Sequence, residues 1–187
     1  MAFGMKESAR DRERRKWQDP EAIIKEIGLK AGDTLMDIGC GQGYFTIPAA
    51  KIAGESGKVY ALDASLYVID ILNGKAEAAG LSNIVSRVGL AEHFVMCEAC
   101  ADFVFFGIVL HDFDDRNAAL KNARRMLKKG GRLIDLDFKK IPMPFGPPPE
   151  IKLSEEEATR LIEGAGFKVK SLRSIEPYSY LLIAGLE

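Results

Sequence analysis

Leu35-Met36-Asp37-Ile38-Gly39-Cys40-Gly41-Gln42-Gly43 decides how this chain is read. The stretch is a short apolar run that holds an acid near its end and passes into three glycines spaced two apart. A segment at helical spacing follows at once, Tyr44-Phe45-Thr46-Ile47-Pro48-Ala49-Ala50. Glycine has no Cβ and tolerates positive φ, so a turn of this composition lets backbone approach a ligand closely. The helix start behind it offers N–H groups that have no partner within the helix. The chain then runs into a second strand, Lys58-Val59-Tyr60-Ala61-Leu62, which ends in Asp63. An acid at the tip of the second strand is placed to hold a ribose diol. Strand, glycine turn, helix, strand and acid together define a site for a nucleoside cofactor.

The details choose among cofactors. A dinucleotide fingerprint needs Gly-x-Gly-x-x-Gly or Ala, whose last small residue permits tight helix–strand packing. Counted from Gly39, that last position is Tyr44, so a dehydrogenase is disfavoured. The spacing is instead Asp-x-Gly-x-Gly-x-Gly, with Asp37 inside the strand end. This pattern, with an acid ending the next strand, resembles motif I and its successor in the class I S-adenosylmethionine-dependent methyltransferases. The resemblance runs from about Asp19 onward and is nearest to small members related to the ubiquinone/menaquinone-biosynthesis group. Arg87-Val88-Gly89-Leu90-Ala91-Glu92-His93 stands where that family has its third-strand motif. Asp102-Phe103-Val104-Phe105-Phe106 matches the fourth strand, Val109-Leu110-His111 the segment after it, and Gly130-Gly131-Arg132-Leu133-Ile134 the turn into the fifth.

The resemblance implies S-adenosylmethionine as cofactor and S-adenosylhomocysteine as product. It assigns their binding to Asp37, Gly39, Cys40, Gly41, Gly43, Asp63, Ala64, Leu90, Ala91, Glu92 and Phe106. One position departs from it. Members often carry Asp where this chain has Leu90, accepting from the adenine amino group, and leucine cannot accept. Either Ala91 and Glu92 hold the adenine, or its contact is weaker and more apolar here.

A chain of 187 residues suits one domain with a well-buried core. The division expected is a charged arm over residues 1–18 and a single methyltransferase domain over 19–187. A net charge of -1 gives no global field toward nucleic acid or an anionic membrane. The first sixteen residues lack the apolar run of a signal peptide. The longest apolar run, Phe103 to Leu110, is too short to span a bilayer. Three cysteines in such a chain suggest a reducing cytoplasm and no disulfide framework. Cys97-Glu98-Ala99-Cys100 is half a zinc site with no second half, so a structural reading is preferred and no metal is expected.

The pattern of elements predicts an α/β fold. Asp19-Pro20-Glu21 reads as a helix start, and Ser65 to Ala79 carries one apolar face. Asn83 to Val88 reads as the third strand, and Asp102 to Ile108 is nearly all apolar, as a central strand covered on both faces should be. Asp114 or Asp115 caps a helix expected to run to Lys129 and close at Gly130. Ser154-Glu155-Glu156-Glu157 is a capping box. Lys168 to Ile175 and Tyr178 to Ala184, joined by Glu176-Pro177, must pair antiparallel. The sum is a doubly wound, Rossmann-like sheet of seven strands, mostly parallel with an antiparallel C-terminal hairpin and helices on both faces.

Methyl transfer from a sulfonium is an in-line displacement of an already activated group, so the protein mainly aligns and desolvates its reactants. His111 is the candidate general base, at the ligand edge, with Asp112 or Asp114 to orient it; a histidine that only closes the strand end is the other reading. Asp137 ends the fifth strand beside Lys139 and Lys140 and either touches substrate or pairs with a lysine. The segment Ile141 to Pro149 leaves the ligand edge as a stiff connector or as a pocket wall carrying Met143 and Phe145. The arm, with Trp17 as its anchor, is a frayed end or a flap over the cofactor. Tyr178 and Tyr180 either close the pocket or pack the hairpin.

A small-molecule acceptor is the leading expectation, because the chain adds no recognition domain to the core. The alternatives are an RNA or protein methyltransferase docking through Arg10 to Lys16, and a module that binds S-adenosylmethionine without catalysis. Neither the acceptor atom nor the oligomeric state, a homodimer among the options, is written in this chain.

Overall fold

The computed structural model describes residues 9–186. The first eight residues of the arm lie outside that range. A short helix α1 (Ala9–Arg15) and α2 (Pro20–Glu26) precede the sheet. Asp19 caps α2 by accepting from the N–H groups of Glu21 and Ala22, and Pro20 sits where no donor is needed. Then come β1 (Thr34–Ile38), α3 (Thr46–Ala53), β2 (Lys58–Asp63), α4 (Leu66–Ala78), β3 (Ile84–Val88) and β4 (Ala101–Gly107). The second half holds α5 (Arg116–Met126), β5 (Leu127–Phe138), α6 (Glu155–Gly164), β6 (Phe167–Ile175) and β7 (Ser179–Leu186).

The seven strands are ordered β3-β2-β1-β4-β5-β7-β6. The first five are parallel, and β7 lies antiparallel between β5 and β6. The order reverses between β1 and β4, and a doubly wound sheet binds its ligand beyond the carboxyl ends of the strands at such a point. Strand β4 shows how the core is divided. Phe103 and Phe105 enter the cluster built on α2 and α3, while Val104 and Phe106 enter the one built on α5 and α6. Successive side chains point to opposite faces, so an unbroken apolar run is what two helical layers demand.

One expected boundary is corrected. Helix α5 stops at Met126, and Lys128 and Lys129 belong to β5. The N–H groups of Ala99 and Cys100 donate to the carbonyls of Arg125 and Met126, and Ala101 pairs with Leu127. The incoming chain thus captures the last helical carbonyls and draws Leu127 into the ladder. Gly130, at φ +83°, takes up the resulting register shift between β4 and β5. Cys97 and Cys100, read from the sequence as structural, are joined as a single local disulfide. They precede β4 at the edge opposite the ligand edge.

The other boundaries follow their local chemistry. Asp115 caps α5 through the Ala118 N–H, and Ser154 and Glu157 form the reciprocal capping box of α6. Among the described residues, no helix is long and apolar enough to cross a membrane.

Candidate functional site

The glycine turn is tied down at both ends. Gly39 and Cys40 donate their N–H groups to the Leu62 carbonyl at 2.7 and 3.1 Å, and Gly43 donates to Cys40. Asp63 lies between this turn and α4: its Oδ2 accepts from the Gly41 N–H and its Oδ1 from the Ser65 N–H, both at 2.9 Å. A carboxylate held by two backbone donors keeps further lone pairs for a ligand. Gly41 is at φ +52°, and a Cβ built on it would meet nothing within 4 Å, so the backbone there faces open space. A Cβ at Gly39 would fall 2.4 Å from Val109 Cγ2, which fixes the spacing between the turn and the β4 exit.

Asp37 is buried behind the turn and accepts from the Thr46 hydroxyl at 2.5 Å. Burial pushes its carboxyl up to about 7, against the Thr46 bond, with the charge of Asp63 adding to the rise. Cys40 is buried and its thiol is pushed upward by the same burial, so it is no nucleophile.

A cleft of about 180 Å³ opens between the turn, the tip of β2, the segment after β3 and the β4–α5 connection. Of the residues expected to hold the cofactor, Gly39, Asp63, Ala64, Leu90, Ala91 and Glu92 line it. Asp37, Cys40, Gly41 and Gly43 shape the turn without lining this cleft. Phe106 is in the core, 1 % exposed, and stands edge-on behind Phe113, which does line the cleft. Leu90 offers a half-exposed apolar side chain. Glu92 Oε1 accepts from the Asp114 N–H at 3.1 Å, while its Oε2 is buried with no partner among the described residues. A buried carboxylate oxygen without a partner calls for a donor. Asn122 of α5 fastens this wall by donating to the carbonyls of Ala91 and Glu92, both at 2.9 Å.

On the other side of the β4 tip the chain is strained. Ile108 is at φ +62°, a conformation a β-branched residue rarely adopts, and its N–H is held by the Leu136 carbonyl at 2.7 Å. The single turn Leu110–Asp112 follows. It carries His111, which is 3 % exposed. Its Nδ1 lies 2.7 Å from Asp137 Oδ1, and its backbone N–H donates to Asp137 Oδ2 at 3.3 Å. Nε2 lies 3.3 Å from the exposed Asp112. Arg116 donates to the carbonyls of Leu110 and His111 and locks the turn.

Of the two acids expected to orient the ring, one reaches it, and a buried acid joins it. Asp112 reaches the ring, Asp114 donates its backbone N–H to Glu92, and the buried partner is Asp137, which pairs with no lysine among the described residues. Burial alone lowers the His111 pKa, but the hydrogen bond and charge of Asp137, with Asp112, outweigh it and Arg116, leaving it above 6.5. Asp137 was reachable from the sequence, since adjacent parallel strands put their carboxyl tips side by side. Phe113, Arg116 and Asn122 were missed; their signal was a connection leaving β4 at the switch point.

A parallel sheet in this order, with a glycine turn after β1, an acid at the tip of β2 and a reversed final hairpin, defines an S-adenosylmethionine-dependent methyltransferase fold. The sequence model of the ubiE/COQ5 methyltransferase family matches residues 9–147, and the chain belongs to that family. It is 32% identical over 123 residues to a demethylmenaquinone methyltransferase of Bacillus velezensis, covering 66% of this chain and 52% of that protein. It is 30% identical over 122 residues to a namesake from Staphylococcus aureus, covering 65% and 50%. The chain thus spans about half the length of the curated relatives it matches. A solved S-adenosylmethionine-dependent methyltransferase from Aquifex aeolicus superposes with a TM-score of 0.87 at 29% identity, over 96% of this chain and 98% of that one.

Proposed function

We propose that this protein transfers the methyl group of S-adenosylmethionine to a small-molecule acceptor, with His111 taking the proton that the acceptor loses. The observation that carries the reading is the pair of carboxylates across the cleft, Asp63 facing the glycine turn and Glu92 with an unpaired oxygen. Asp63 would accept from the ribose hydroxyls, Leu90 would cover one face of the adenine, and Glu92 would accept from its amino group. That assignment replaces the missing acid at position 90 with the acid two residues on. When bound, the cofactor supplies an activated methyl group next to a positive sulfur.

What remains for the protein is alignment and proton removal. Asp137 fixes the His111 tautomer with the proton on Nδ1, which leaves Nε2 as the acceptor once the ring is neutral. The ring is shielded from water yet adjoins Asp112, which lines the cofactor cleft.

Two relatives are named demethylmenaquinone methyltransferases, so a reduced quinone is the first acceptor to offer. Docking of RNA on the arm is disfavoured by its charges: Arg14 stacks over Tyr44 at 4.1 Å, Arg15 pairs with Glu21, and Lys16 with Glu13. The test is transfer of labelled methyl to a panel of acceptors that includes a demethylmenaquinol. Wild type should turn over, and His111→Ala should lose about 100-fold in kcat with cofactor affinity kept. Cofactor binding without transfer to any acceptor would reduce the protein to a non-catalytic binding module.

A further inference from the structure

Three stretches distant in the sequence bring four aromatic rings together beside the His111–Asp137 pair. Trp17 comes from the arm, Phe138 from the end of β5, Phe145 from the proline-rich loop and Tyr178 from the hairpin turn. Trp17 stacks on Phe145 at 5.1 Å and meets Tyr178 edge-on at 5.6 Å, and Phe145 meets Tyr178 at 5.0 Å. Phe138 lies beneath, 6.4 Å from Trp17 and 6.2 Å from Phe145. Its ring is also 6.2 Å from that of His111. Phe145 is 38 % exposed, so the cluster presents aromatic surface at the ligand edge instead of being sealed in the core.

Lys152 closes the other side. Its side chain is buried, at 1 % exposure, with Nζ 5.8 Å from the Phe138 ring. An ammonium has three protons to donate. Two are placed, on the Ile141 carbonyl at 2.9 Å and on the Met143 sulfur at 3.1 Å, and thioether sulfur is a weak acceptor. Among the described residues no carboxylate comes within ion-pair distance of it. Burial lowers its pKa, which the charges of Asp137 and Glu150 only partly offset. A buried cation with so little compensation is costly, and a strut between the loop and α6 needs no charge, since an apolar side chain of the same length fills that space.

We infer that the acceptor is a planar molecule bearing an anionic oxygen, its ring received by the aromatic cluster and its charge by Lys152. The inference rests on the methyltransferase reading and names the acceptor class for that site. Aromatic faces favour an offset-stacked or edge-on ring, and a desolvated ammonium pairs with an oxyanion through short, charge-assisted bonds. This gives the proline-rich loop a role, because it carries Phe145 and the two groups that orient Lys152.

Trp17 is the only tryptophan in the chain, so its fluorescence reports on this cluster. The probes are cinnamate, its neutral isostere cinnamamide, and tetrafluorophenolate, titrated against the full chain saturated with S-adenosylhomocysteine. At least one anion should quench Trp17 saturably and bind at least tenfold more tightly than cinnamamide. Preference for cinnamate marks a carboxylic acid, and preference for the phenolate an acidic phenol. Lys152→Met should weaken the favoured anion at least tenfold and leave cinnamamide unchanged, and Lys152→Arg should restore most of the loss. Equal binding of amide and acid, anion affinity unchanged in Lys152→Met, or no quenching by any probe would overturn the inference. If Lys152→Met fails to fold, the comparison of amide and acid on wild type decides. Calorimetry of S-adenosylmethionine on the same samples separates the two readings: if it still binds, the acceptor class alone is wrong, and if it does not, the methyltransferase reading falls as well.

Discussion

At the scale of single residues, the site is built from acids whose surroundings differ. Asp63 is half-buried and takes two backbone N–H groups, whereas Asp37 is buried with one hydroxyl for a partner. The folded state holds a proton on Asp37 up to about pH 7, against an ordinary value of 3.8. Between those limits the native form binds more protons than the unfolded chain, so this group's contribution to stability falls as pH rises. Asp37→Asn should therefore gain melting temperature relative to wild type steadily from pH 4 to 7 and hold the difference above it. Scanning calorimetry across that range checks this; a constant difference would show that Asp37 is ionised throughout. His111 has the same sign of linkage to stability, and its titration also governs function. Its raised pKa means that the imidazolium contributes stability below its ordinary 6.5, and that this is lost as pH rises through the folded value. The neutral base forms over the same rise, so kcat/KM should climb with pH to a plateau. Asp137→Asn should move that inflection to lower pH, while His111→Ala should flatten the profile.

At the scale of elements, most starts were readable because caps are local. Asp19, Asp115 and Ser154 each accept from N–H groups two or three residues on, so the signal and its effect lie within one turn. Ser154→Ala should cost about 1 kcal/mol in denaturant unfolding with an unchanged slope. The end of α5 was not readable, because Lys128, Lys129 and Gly130 look like a helix terminus and only the distant Ala99–Ala101 segment turns them into a strand. Asp137 could be placed at the ligand edge from the sequence, but its pairing with His111 follows only from the β4–β5 neighbourhood, and Asn122 was hidden because its amide reaches far back along the chain to Ala91 and Glu92. Asn122→Ala should loosen the Ala91–Glu92 wall. Cofactor affinity should fall severalfold while the melting temperature changes little, by calorimetry and thermal denaturation of one preparation.

At the scale of the whole molecule, the sheet sets a gradient of protection. Strands β1, β4 and β5 are covered on both faces, whereas β3 and β6 are edges with many exposed side chains. Native-state hydrogen exchange should be slowest in β4 and β1 and fastest in β3 and β6, with the cofactor slowing the turn at 39–43 and the segment 89–92. The fold was legible from alternating strands and helices because topology follows from which elements are apolar on one face or two. The aromatic cluster beside His111 was legible only as separate options, since Trp17, Phe145 and Tyr178 come from the arm, the proline-rich loop and the hairpin turn and meet only in the fold. Everything proposed for the chemistry depends on the cleft between the glycine turn and Asp63 holding S-adenosylmethionine. The direct test is calorimetric titration of wild type and Asp63→Ala with S-adenosylmethionine and S-adenosylhomocysteine. Wild type should bind both saturably, and the variant should bind them roughly 10- to 100-fold more weakly, as expected for loss of hydrogen bonds to a charged group. A folded wild-type protein that binds neither would contradict the assignment.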